Sequence, residues 1–153
     1  MREGLLNTRP VCPRWSRNGL LAIVLLSCLA QNSTADFIQR VITDEAGEHR
    51  YTVFVPENYS ADRKWPVILF LHGAGERGSD GQRQLTIGLA PAIKKRQSSF
   101  PFIAVFPQCE DTSDRYLAGW LADSPDAARA LRILDQVERD YSIDTSRRIL
   151  TGW

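Results

Sequence analysis

The sequence is poor in the residues that staple or metallate small proteins: 153 residues include 3 cysteines, 2 histidines and 1 methionine. Cys12 and Cys28 fall in the N-terminal segment, which leaves Cys109 alone in the remainder. One cysteine cannot close an internal disulfide, and no Cys/His spacing has the pattern of a zinc site. Cys109 is therefore either a small buried residue or one whose partner lies outside this sequence. It is not placed as a nucleophile, because no histidine is positioned to activate it. An excess of one charge is also missing, with 19 Lys+Arg against 18 Asp+Glu. That balance excludes the basic surface on which nucleic-acid binding depends. Repeats and low-complexity linkers are absent, so one domain is the simplest organisation. The apolar share of 43% suffices for a real core at this length.

A long hydrophobic run is lacking too. Gly19–Ala30 is uncharged and apolar, yet shorter than the roughly 20 residues needed to span a bilayer. Arg2, Arg9, Arg14 and Arg17 precede or flank it, against Glu3 alone. A basic segment, a short apolar core and a small-residue exit together form the pattern of a secretory signal peptide. Ser33-Thr34-Ala35 supplies the exit. Residues 1–35 are thus expected to be a leader cleaved after Ala35, with residues 36–153 secreted or periplasmic and no stable membrane span remaining.

From Asp36 the pattern alternates between strands and helices. Phe37–Thr43 and Arg50–Val55 have strand character around the turn-like Asp44–Gly47, and Tyr51, Val53 and Val55 share one face. Pro66–Leu71 and Phe102–Phe106 are apolar throughout, as expected of central strands covered on both sides. Between them Gln84–Gln97 predicts a helix carrying Leu85, Leu89 and Ile93 on one stripe, weakened early by Gly88 and Pro91. Ser124-Pro125-Asp126 is an N-cap, a proline at the first helical position and an acid at the positive dipole end. Ala130, Leu134, Val137 and Tyr141 then form the buried stripe of a second helix. After a loop over Ser142–Ser146, Arg147–Thr151 returns as a strand, with Arg147 and Arg148 in solvent. The order β-β-β-α-β-α-β predicts an α/β fold with helices on the faces of a mostly parallel sheet.

Ligands of such sheets collect at the carboxyl ends of the strands. Two stretches fall there: His72-Gly-Ala-Gly-Glu-Arg-Gly-Ser-Asp-Gly81 and Thr151-Gly152-Trp153. Glycines in the first permit sharp turns and leave backbone N–H groups uncovered. Such donors beside a reacting carbonyl make an oxyanion hole. Ser79 and Asp80 are turn formers there. Trp120 either lines a cleft or anchors the core.

Trp65–Gly78 resembles the third strand and oxyanion loop of secreted α/β-hydrolase esterases of the phospholipase/carboxylesterase, polyhydroxybutyrate-depolymerase-like group. Phe106-Pro-Gln-Cys109 resembles the end of their next strand, and Tyr141–Trp153 resembles their approach to the nucleophile elbow. The resemblance implies the N-terminal part of an α/β-hydrolase fold and a carboxylic ester hydrolase with a Ser–His–Asp triad in the order Ser, Asp, His. It implies Ala74 as an oxyanion N–H donor, with Gly73 and Gly75 shaping the loop. Glu76 and Arg77 brace it or meet the substrate, and Trp153 lines the elbow. No cofactor or metal is implied; the partner would be a small-molecule or polymeric ester. The triad is not in the sequence: the serine would follow Trp153, His49 precedes an early strand and His72 sits within the loop. The chain is thus expected to be an N-terminal fragment ending just before its nucleophile and inactive as written. A prolyl-oligopeptidase-like peptidase, a dienelactone-type hydrolase and an inactive truncated product are the competing readings.

Overall fold

The computed structural model describes residues 35–112 and 118–153. The proposed leader, with Cys12, Cys28 and its apolar run, lies outside them but for Ala35. Five strands build one sheet: β1 (Asp36–Asp44), β2 (Gly47–Val55), β3 (Trp65–Leu71), β4 (Ile103–Pro107) and β5 (Ile143–Gly152). Their spatial order is β1-β2-β4-β3-β5. β1–β2 and β2–β4 are antiparallel, whereas β3 runs parallel to both β4 and β5.

The hairpin between β1 and β2 closes on Asp44, whose Oδ1 accepts from the Ala46 N–H at 2.9 Å. Alternation in β2 then serves two cores at once. Tyr51, Val53 and Val55 face one core with Val67, Leu69, Ile103 and Val105, covered by Ile133 and Val137. Phe54 faces the other with Ile68, Phe70, Ala104 and Phe106, covered by Ala90 and Ile93. The helices α1 (Leu89–Lys94) and α2 (Pro125–Asp140) therefore cover opposite faces. Strands sandwiched in this way are apolar on both sides, the reason β3 and β4 read as unbroken hydrophobic runs.

The expected helix over Gln84–Gln97 is not continuous. It divides into a turn at Arg83–Leu85, the six-residue α1, and a turn at Gln97–Ser99. Gly88 breaks it, with φ of 66° and ψ of −123°, a conformation that L side chains rarely adopt. The stripe survives the break, since Leu85, Leu89 and Ile93 all reach the same core. In α2 the caps are as expected: Ser124 Oγ accepts from the Ala127 N–H at 3.0 Å, and Pro125 opens the helix. Ile133 adds to the expected stripe and is 1% exposed.

Two further expectations are corrected. Ser142–Ser146 is not all loop: β5 begins at Ile143, which pairs with Trp65 across a bulge. His49 lies inside β2, not before it. Among the described residues no helix is long and apolar enough to cross a membrane.

Candidate functional site

Parallel pairing of β3 with β5 aligns Leu71 with Gly152. The Trp153 N–H donates to the Leu71 carbonyl at 3.1 Å. The two strand ends marked by the sequence are therefore neighbours, and the glycine loop after β3 stands against the end of β5. A cavity of about 230 Å³ opens there, with Ala74, Arg77, Cys109, Trp120 and Trp153 among its walls. It is smaller than most pockets for drug-sized ligands, which occupy roughly 300–1,000 Å³. A larger groove of about 590 Å³, lined by Arg63, Lys64, Phe102, Arg147 and Ile149, lies at the amino end of β3 instead.

His72 is 1% exposed at the base of the loop. Its Nε2 accepts from the Cys109 N–H at 2.9 Å. A backbone amide can only donate, so Nε2 carries a lone pair and the proton sits on Nδ1. Nδ1 then donates to the Gly73 carbonyl at 2.7 Å. Burial holds the imidazole below its ordinary pKa, opposed by its bond to Gly73. Both ring nitrogens are thus engaged, and His72 is a structural neutral histidine with no free lone pair for base chemistry. The other histidine has one ring nitrogen hydrogen-bonded. His49 Nε2 bonds Asp44 Oδ1 at 2.9 Å, while Nδ1 lies 3.0 Å from Glu110 Oε1. It belongs to a partly buried polar network in which Arg129 pairs with Asp126 and Asp44, linking α2 to the hairpin.

Gly73 and Ala74 begin a short turn, Ala74–Glu76. Gly73 is tightly surrounded, for an added Cβ would meet Glu76 Oε2 at 3.2 Å and the Trp153 carbonyl at 3.4 Å. Gly75 is not: nothing lies within 4 Å of a Cβ there. Ala74 and Gly75 are exposed, and no described hydrogen bond uses the Ala74 N–H. Glu76 is buried under the loop with Oε2 unpartnered. Arg77 reaches sideways, Nη1 donating to the Asp111 carbonyl at 3.2 Å. Trp153 is 76% exposed.

The sequence reading missed the supports of this loop. Gln108, just past β4, accepts from the Gly81 N–H through Oε1 at 2.6 Å and donates to the Glu76 carbonyl through Nε2 at 3.1 Å. Asp80 is a turn former as expected, its Oδ1 accepting from the N–H groups of Gln82 and Arg83. Those amides hold its carboxyl below the usual range. Cys109 is buried, and its thiol donates to Asp126 Oδ2 at 3.2 Å. Burial, then the Asp126 carboxylate, push that thiol up to about 12, so it remains protonated and unreactive. Trp120 both lines the cavity and bonds the loop, its Nε1–H donating to the His72 carbonyl at 2.8 Å.

The fold recurs in solved structures. A thermostable esterase superposes with a TM-score of 0.56 at 27% identity, over 76% of this chain and 34% of its own. The fold is part of an α/β-hydrolase fold. A ferulic acid esterase (TM-score 0.57, 18% identity, 80% of this chain and 49% of that one) shares it. So does the fluorophosphonate-binding serine hydrolase F of Staphylococcus aureus (TM-score 0.56, 14% identity, 77% and 47%). This chain spans between about a third and a half of the length of these α/β-hydrolases. No protein-family model matches the sequence, and no curated protein matches it.

Proposed function

We propose that this chain contributes the oxyanion side of an exported serine carboxylesterase acting on small-molecule or polymeric esters. One observation carries the reading: β3 and β5 are paired so that exposed Ala74, whose N–H is in no described hydrogen bond, and Trp153 stand at one carboxyl end of the sheet. In an acyl transfer, negative charge develops on the carbonyl oxygen, and a fixed backbone donor there is a large source of rate. A second donor comes from the residue after the nucleophile in an elbow that follows the fifth strand. Here Gly152-Trp153 would open that elbow, and the serine, acid and histidine of the triad would follow in a longer chain. The tautomer of His72 supports this division of labour, because it leaves the loop histidine no role as general base. Esterases and a serine hydrolase among the structures with this fold support the reaction class. Neither a cofactor nor a nucleic-acid partner belongs to this reading.

The test begins with the reading frame. A frame continuing through Ser-x-Gly after the Trp153 codon, with an Asp and then a His downstream, should encode a protein that hydrolyses p-nitrophenyl acetate. Replacing that serine with Ala should abolish turnover, and N-terminal sequencing of the exported protein should begin at Asp36. A frame encoding no such serine, or a complete protein without ester turnover, removes the reading.

A further inference from the structure

We propose that Trp120 is the positioning residue of the oxyanion loop: its indole N–H fixes the His72 carbonyl while its ring walls the cavity beside Ala74. The catalytic half of this inference rests on the ester-hydrolase reading above; the positional half does not.

The indole is held from behind and holds what lies in front. Behind it, Gly119 is buried against Cys109, so closely that an added Cβ would sit 2.0 Å from Sγ. The Gly119 carbonyl accepts from Ser124 Oγ at 2.7 Å, and the same hydroxyl caps α2 by accepting from Ala127. Trp120 is thereby tied to the first turn of a sixteen-residue helix. In front, Nε1–H donates to the His72 carbonyl, and the two rings meet edge to face at 5.2 Å and 74°.

His72 then has its carbonyl and both ring nitrogens occupied within one small region: the carbonyl by Trp120, Nδ1–H by Gly73, and Nε2 by the Cys109 amide. The His72–Gly73 peptide is thus held through its carbonyl by Trp120, and the next peptide, which carries the Ala74 N–H, is held through the Gly73 carbonyl by Nδ1–H. A donor that is already aimed costs no reorganisation when charge develops. Trp120 is half-buried, so its remaining surface faces the cavity it shares with Trp153. Loss of the N–H and loss of the ring should therefore have separable consequences.

Two variants separate them. Trp120→Phe keeps most of the ring and removes the N–H; Trp120→Ala removes both. On the chain itself, hydrogen exchange is read at the Cys109 amide, which is buried and bonded to His72. Trp120→Phe should speed that exchange about tenfold while amides within α2, such as Ile133, keep their rates. Unchanged exchange at Cys109 overturns the proposal, as does equal acceleration along α2, which would mean general destabilisation. In the complete esterase, Trp120→Phe should lower kcat about tenfold with KM for p-nitrophenyl acetate within about twofold of the parent. Trp120→Ala should in addition raise the preference for p-nitrophenyl octanoate over acetate. A normal kcat in Trp120→Phe overturns the proposal even if Trp120→Ala fails to fold. A parent protein without any ester turnover would remove the esterase reading, and the exchange result would still decide the positional role.

Discussion

At the scale of single residues, a histidine beside a candidate site is defined by which of its nitrogens is free, and at His72 neither is. Its neutrality has a consequence for stability. Burial lowers the folded-state pKa, whereas an unfolded chain protonates histidine near pH 6.5. Below about pH 6.5 the unfolded state therefore binds more protons, so stability must fall as pH falls through that window. His72→Gln, which offers a donor and an acceptor without titrating, should show a shallower loss between about pH 6.5 and 5 in urea unfolding. Nitrogen NMR on the parent should find Nδ1 protonated and Nε2 bare at pH 6. A protonated Nε2 there would contradict the assigned tautomer. His72 was legible in the sequence as part of a loop and as a poor general base. Two of its three bonds were not, since they depend on Cys109 and Trp120, which lie 37 and 48 positions away.

At the scale of elements, what the sequence made plain was whatever burial on two faces imposes. β3 and β4 announced themselves because both faces are covered, and α2 because its cap, proline and stripe agree. The first helix was overextended because the apolar stripe of Leu85, Leu89 and Ile93 persists through a backbone that does not stay helical. A stripe records which residues reach the core, not the dihedrals between them. Gly88 supplies the break twice over: its φ is positive, and an added Cβ would meet Phe70 Cζ at 2.5 Å. Gly88→Ala should therefore destabilise the protein by about 2–3 kcal/mol in chemical denaturation, more than an exposed helix position would allow. A change within about 0.5 kcal/mol would mean that the chain reroutes the turn freely. The start of β5 was hidden for a related reason. Asp144-Thr145-Ser146 has turn chemistry, and the Ser146 N–H and Oγ both bond Asp144 Oδ1, but the same residues lie in a strand that pairs across a bulge with Trp65.

At the scale of the whole molecule, the sheet is asymmetric in how its borders are treated. β1 is a polar border, with exposed Gln39, Arg40 and Thr43 between its apolar residues. On the opposite side β5 pairs with β3 along one edge and, among the described residues, with no strand along the other. It also leaves Ile149 42% and Leu150 68% exposed. Register assigns these two residues to opposite faces, because Ile149 aligns with Ile68 of one core and Leu150 with Leu69 of the other. A strand with one unpaired edge and apolar residues on both faces is a template for another strand. The charges along it give little protection, as Arg147 is paired with Asp144 and Arg148 with Glu138. The 153-residue chain should consequently self-associate as its concentration rises, with β5 as the seam. Leu150→Lys and Ile149→Lys each place a charge on one face of that seam, and the double variant should shift the protein toward monomer in light scattering coupled to gel filtration. Neither substitution touches the loop around Ala74, so the amide exchange at Cys109 should remain that of the parent. Association that persists undiminished in the double variant would locate the seam elsewhere and show that β5 is protected by something other than its own side chains.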